Sequence, residues 1–280
     1  MYLYEGHLGS LYLTKSKQDN NSLYCDQCGD YDWELGEVFT WQDIVNVIGI
    51  DDIQVDSCDG GWARDYVYDV MQELGDVPDE ETVYKYMKDM KIRNAFDTVT
   101  NIRYEKDSEY DLDYYNEILI EEFPFIKETD EGYPVEGIKE LLQIYTWIDE
   151  IPDGWRRAFG LDLLYELKTS LIKDGCLDTF AFTQIKEKFG TLRIYATGYD
   201  KNTRNVIAKY EELSQYFCVH CGKRAKYISQ GWICPWCEDC VREIRDTVKP
   251  IEDIYHLDID KEIEKIKTNF RYEDYWTTLN

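Results

Sequence analysis

The sequence predicts an α+β protein in two parts. Residues 1–150 read as an acidic, mostly helical region with an N-terminal C-x-x-C-G knuckle. Residues 151–280 read as a helix, a β-hairpin and a helix feeding a treble-clef-like four-cysteine module, then a C-terminal helix. Three observations predict this. Residues 1–150 hold 36 Asp and Glu against 11 Lys and Arg, whereas residues 151–280 hold 21 against 20. Apolar residues recur at helical spacing through much of the chain, with short alternating runs at residues 2–13 and 180–196. Two C-x2-C pairs stand 15 residues apart near the C-terminus.

The first half opens with strand formers, Tyr2, Tyr4 and Leu11–Leu13, separated by Gly6 and Gly9. Thr40 can cap a helix running to about Ile48, with Gly49 as its stop. Tyr66, Val67, Val70, Met71 and Leu74 mark a second helix that ends at Gly75. Pro78-Asp-Glu-Glu81 opens a third, its carboxylates facing the positive end of the helix dipole. Pro134 can open a fourth, with Ile138, Leu141, Leu142, Tyr145 and Ile148 on one face. Stripes of this spacing are core rather than ligand site.

The seam is expected at Glu150-Ile-Pro-Asp-Gly154, where Asp153 can cap the helix Trp155–Lys173 and Gly175 can end it. Phe180–Lys186 and Leu192–Ala196 flank Lys188-Phe-Gly190 and read as a hairpin. A helix from about Asn202 to Tyr216 leads into the cysteines.

Cys218-Val-His-Cys221 and Cys237-Glu-Asp-Cys240 supply four soft thiolates at the spacing of a tetrahedral zinc site. Gly222 suits a tight knuckle, Gln230-Gly231 a hairpin turn, and Glu238–Val248 a helix opened by the second pair. Such an order is that of a treble clef, whose zinc would stabilise the fold outright. Cys234 overlaps the second pair and either replaces a ligand or stands aside; the symmetry of the two pairs favours Cys237 and Cys240. His220, inside the first knuckle, reads as solvent-facing. A second metal site is drawn from Cys25 and Cys28 with His7 and Cys58, or with Asp26, Asp30 or Asp56 as oxygen donors.

The remaining chemistry is sparse. The chain has three histidines, His7, His220 and His256, and no phosphate-binding loop, H-E-x-x-H or G-x-S-x-G. Treble-clef nucleases need histidines on the hairpin or helix, and residues 222–248 contain none. The acidic stretch Asp51–Asp59 does not match a calcium loop, and the adjacent pairs Glu121-Glu122 and Asp149-Glu150 do not face each other on a helix. The expectation is therefore a protein that is not an enzyme. A net charge of −26 argues against general phosphate-backbone binding. At 44% hydrophobic and 15% aromatic residues the chain can still fold, and no apolar run reaches the ~18 residues of a membrane span. Met1–Glu5 shows neither the basic region nor the apolar core of a secretory signal.

Ile151-Pro-Asp-Gly-Trp-Arg, Gln184-Ile-Lys-Glu-Lys-Phe-Gly-Thr-Leu-Arg193 and the Cys218–Cys240 module with Gly231-Trp-Ile resemble a family of uncharacterised phage and prophage proteins. Tyr2-Leu-Tyr-Glu-Gly-His-Leu-Gly and Tyr24-Cys-Asp-Gln-Cys-Gly-Asp are similar to the start of related hypothetical proteins. In the family the position of Cys234 is often not cysteine. The resemblance thus implies Cys218, Cys221, Cys237 and Cys240 as the zinc ligands. It also implies a phage setting, and with it the bacterial host cytoplasm.

Two functions are then expected to compete. In the first, the acidic half inhibits a host anti-phage defence complex, such as a nuclease, by binding its basic surface. Tyr110–Tyr115 and Tyr272–Trp276 are candidate contacts. In the second, the zinc module binds nucleic acid through Arg204, Lys223, Arg224 and Lys226, since residues 151–249 hold 16 Lys and Arg against 13 Asp and Glu. Tyr272, Tyr275 and Trp276 can dock on their own domain or on a second subunit of a homo-oligomer.

Overall fold

The computed structural model describes residues 1–6, 11–19, 22–24, 31–48, 61–101, 112–127, 146–256 and 258–268. It mixes helix and sheet, as the α+β expectation requires. Its contacts divide into two units, Met1–Lys91 and Ile92–Asn280. The charge seam at residues 150–154 therefore falls inside the second unit. Acidity follows this division poorly: residues 1–91 hold 20 Asp and Glu against 6 Lys and Arg, and residues 92–150 a further 16 against 5.

In the first unit, β1 (Tyr2–Glu5) is the central strand of an antiparallel sheet, flanked by β2 (Leu11–Thr14) and β3 (Trp33–Glu37). The first two strands follow the apolar pattern; β3, with Glu34, Gly36 and Glu37, carries too little of it to be read from sequence. Thr40 opens α1 (Trp41–Ile48) as expected. The Asp43 carboxylate accepts from Phe39 N at 2.9 Å and Thr40 N at 2.8 Å, and Asp43 N donates back to Thr40 Oγ1 at 3.3 Å. Helix α2 (Gly61–Leu74) stops at Gly75, whose φ of 79° is left-handed. Helix α3 (Glu80–Asn101) begins behind Asp79, which accepts from Thr82 N at 2.8 Å. Leu3, Ile44, Val67, Val70 and Met71 form the centre of this unit's core. Each such burial contributes about 1.5–3 kcal/mol.

The second unit contains α4 (Leu112–Glu122) and two 3-10 turns, Pro124–Ile126 and Trp147–Glu150. Residues 134–145 of the helix expected behind Pro134 lie outside the described residues. Ile148 lies in the second 3-10 turn, which Thr146 and Asp149 cap. Asp153 does not cap its helix: it sits within the first turn, Asp153–Trp155, and pairs with Arg156 at 2.9 Å. A π-helical turn, Arg156–Gly160, then leads into α5 (Leu161–Asp174), which ends at left-handed Gly175. Strands β4 (Ala181–Lys188) and β5 (Thr191–Thr197) form an antiparallel hairpin. Helix α6 (Lys201–Leu213) packs on α5 and on β5, and a 3-10 turn, Ser214–Tyr216, delivers the chain to the first cysteine.

A three-stranded sheet, order β7-β6-β8, follows: β6 (Tyr227–Ser229), β7 (Pro235–Trp236) and β8 (Val248–Pro250). Helices α7 (Ile251–Tyr255) and α8 (Ile259–Lys267) close the described chain. Helix α8 is the expected C-terminal helix, and the aromatic tail Tyr272–Trp276 lies outside the described residues. Trp155, Tyr165, Leu167, Leu171 and Leu192, all fully buried, sit in one core with Phe123 and Ile126. Among the described residues no helix is long and apolar enough to cross a membrane.

Candidate metal centre

The first knuckle is built by backbone hydrogen bonds around Cys218. Its N–H donates to Lys223 O at 2.7 Å, and its carbonyl accepts from Gly222 N at 3.0 Å. Gly222 has φ 80°, a conformation that a side chain would resist. The next strands carry the chain out and back: Tyr227 pairs with Trp236 and Ile228 with Pro235. Val219 N donates to Pro235 O at 3.0 Å, so the first knuckle is tied to the strand that delivers Cys237. In the second knuckle Cys240 N points at Cys237 Sγ, 3.4 Å away.

These loops bring Cys218, Cys221, Cys237 and Cys240 together, with all four sulfurs within 4.8 Å of one another. Cys221 Sγ and Cys237 Sγ are 3.5 Å apart. A tetrahedral site with metal–sulfur bonds of about 2.3 Å separates its sulfurs by roughly 3.8 Å, so the cluster can hold a metal ion. Cys218 and Cys237 are buried, and Cys221 and Cys240 are partly so. Burial opposes ionisation of Cys237, but the N–H groups of Cys240 and Asp239 and the neighbouring thiols outweigh it and bring its pKa down to about 7. Burial, then the Cys237 thiol, pushes Cys221 up; burial, then the Cys221 and Cys237 thiols, pushes Cys240 up. Without a cation, four thiolates at this spacing repel one another; a divalent ion removes that conflict.

Cys234 is buried but stands outside the cluster, and burial pushes its pKa up to about 12. Its N–H bonds to Ser229 Oγ at 3.0 Å. His220 is exposed, as expected, with Nδ1 3.5 Å from Cys240 Sγ. Of the second candidate set, Cys25, Cys28, His7 and Cys58, with Asp26, Asp30 and Asp56, all lie outside the described residues. So do the acidic loop Asp51–Asp59 and the aromatic cluster Tyr272–Trp276. The Tyr110–Tyr115 cluster is described only from Leu112 onward, in α4.

One part of the treble-clef expectation is corrected. Residues 238–248 do not form a helix: a single 3-10 turn, Cys240–Glu243, is followed by extended chain and β8. Val241, Ile244 and Val248 mimic helical spacing, but two interactions favour an extended path. Asp246 accepts from Gly231 N at 2.8 Å and Trp232 N at 3.1 Å, which anchors the segment to the β6–β7 turn. Strand β6 then takes Val248–Pro250 on its open edge.

The segment Ile151–Gly160 proves to be the support of the first knuckle. Gly154 N donates to Val219 O at 2.9 Å, Trp155 Nε1 to Phe217 O at 3.0 Å and Arg157 to His220 O at 3.1 Å. The approach is so close that a Cβ on Gly154 would overlap the carbonyl oxygen of Cys218, and one on Gly222 would fall 2.5 Å from Gly154 O. Periodicity marks this segment only as a helix start. The available clue is glycine within the first turn of a helix, where backbone approaches backbone.

The cations expected to bind nucleic acid are largely neutralised. Lys223 pairs with Asp239 at 2.9 Å, Lys226 with Glu238 at 3.4 Å, and Arg224 with Asp260. No protein-family model matches the chain, and no match was found among curated proteins or solved structures.

Proposed function

We propose that this chain is a non-enzymatic interaction protein whose four-cysteine centre holds one structural zinc. The observation that carries this is the closed donor set: four sulfurs fill a tetrahedral shell and leave no position for a substrate or an activated water. Zinc suits the set because it has no geometric preference of its own and takes thiolates readily. Its role is to hold two knuckles and three short strands that bury little apolar surface by themselves.

The working surface is then the excess of carboxylates over residues 1–150, and the partner a protein with a basic face. Taken with the phage-type resemblance, the partner class is a host defence complex, such as a nuclease, whose nucleic-acid-binding face the carboxylates block. The nucleic-acid reading through Lys223, Arg224 and Lys226 is not favoured, because carboxylates already hold those three cations. Affinity capture from bacterial lysate with the zinc-loaded chain tests the proposal. It predicts a basic partner held at low salt, released as salt screens the contact, and inhibited when bound. Recovery of no such partner at low salt, or iron in place of zinc in the purified protein, contradicts it.

A further inference from the structure

The outer face of the β4–β5 hairpin differs from the rest of the chain. Strand alternation buries Ile185 and Ile194 and sets Gln184, Lys186 and Lys188 on the other face, opposite Tyr195, Arg193 and Thr191. Lys186 and Lys188 have no carboxylate partner among the described residues, in a chain of net charge −26. Lys186 instead lies 5.3 Å from the Tyr195 ring centre, and Lys188 lies 5.7 Å from that of Phe189. Arg193, directly across from Lys186, is held by Glu211 at 3.3 Å, so the two lysines carry the uncompensated charge of this face.

The aromatic residues here are held outward. Phe189 at the hairpin tip is 72% exposed and has φ 53°, a left-handed conformation costly for a bulky residue. The neighbouring Gly190 lies against Ile233, which brings the tip beside the β6–β7 turn. There Trp232 is 75% exposed, on backbone fixed by the Asp246 carboxylate and by the Ser229 hydroxyl, which donates to Trp232 O. Exposed rings on fixed backbone, interleaved with cations that no carboxylate holds, are what a single strand of nucleic acid needs: stacking for its bases and charge for its phosphates.

We propose that the β4–β5 hairpin face and the adjoining β6–β7 turn bind single-stranded nucleic acid. Its bases stack on Tyr195, Phe189 and Trp232, and its phosphates face Lys186 and Lys188. This site uses residues other than the carboxylates of the reading proposed above and does not rest on that reading.

The test is fluorescence anisotropy of a labelled oligothymidylate of about 15 nucleotides with the intact zinc-loaded chain, at about 50 mM salt. Binding is expected, with a clear preference over a duplex of equal length, whose base faces are covered. Affinity should fall by roughly one and a half log units per tenfold rise in salt, as two phosphate contacts require. Lys186→Glu with Lys188→Glu should weaken binding more than tenfold. Trp232→Ala and Tyr195→Ala should each weaken it on the order of tenfold. Phe189→Gly separates structure from binding: it should raise the thermal midpoint, by relieving the left-handed strain, while lowering affinity. No binding at low salt, equal affinity for duplex, or affinity unmoved by these variants overturns the proposal. So does binding of an oligoglutamate peptide without binding of the oligonucleotide, which would make the occupant an acidic protein segment.

Discussion

Gly154 is the residue on which the first knuckle most directly rests. The carbonyl of Cys218 lies where its Cβ would be, and backbone cannot yield as a flexible side chain can. Gly154→Ala should therefore destabilise the zinc-loaded protein by about 1–3 kcal/mol in urea unfolding, the usual cost of forcing an atom into filled space. It should also speed loss of metal to a chelator. Cys234 offers the converse case. It is buried beside the ligands yet outside the cluster, so Cys234→Ser should keep its zinc, whereas Cys218→Ser should lose it and leave residues 216–250 unfolded. Metal content and circular dichroism of the two variants check this. The clustering of these four cysteines was legible from spacing, which favoured them over Cys234, because two C-x2-C pairs constrain where four sulfurs can go. The role of Gly154 was not, because it depends on a loop more than 60 residues away in sequence.

Among the elements, helices were legible wherever caps and stripes agreed. Thr40, Gly75, Asp79 and Gly175 each mark a boundary because capping is local chemistry. Strands set by partners were not: β3 and β8 exist because β1 and β6 each had an edge to fill. Helix α6 shows a tertiary cap of the same kind. Its first turn is held from outside by Asp174, the last residue of α5, which accepts from Asn202 Nδ2 at 2.5 Å and from Thr203 N at 3.1 Å. Partial burial raises the pKa of Asp174, but these donors outweigh it and hold the carboxyl below its ordinary range. A depressed folded-state pKa stabilises the fold above the unfolded value of about 3.9 and is lost as pH falls through the folded value. Asp174→Asn should cost about 1 kcal/mol at neutral pH, and the gap from wild type should close in unfolding curves measured below about pH 4.

For the molecule as a whole, composition located charge better than it located structure. The shift in charge near residue 150 suggested a boundary, yet the contacts change over at Lys91 and Ile92, inside α3. Charge is a property of surface and does not report which side chains share a core. If the proposed zinc supplies folding energy to the cysteine module, its removal should unfold that module first. Stripping the metal with chelator at neutral pH should expose the amides of residues 216–250 to hydrogen exchange while those of α1 and β1 stay protected. Loss of protection throughout would mean that the metal holds more than its own module.

On the proposed function, one zinc lies in a closed shell of four cysteine sulfurs. X-ray absorption at the zinc edge tests it most directly, in a Cys25→Ser/Cys28→Ser chain so that only the C-terminal centre contributes. One zinc per chain is expected, with four sulfur scatterers at about 2.3 Å and no lighter neighbour. A nitrogen or oxygen ligand in the shell, fewer than four sulfurs, or no bound zinc would contradict it.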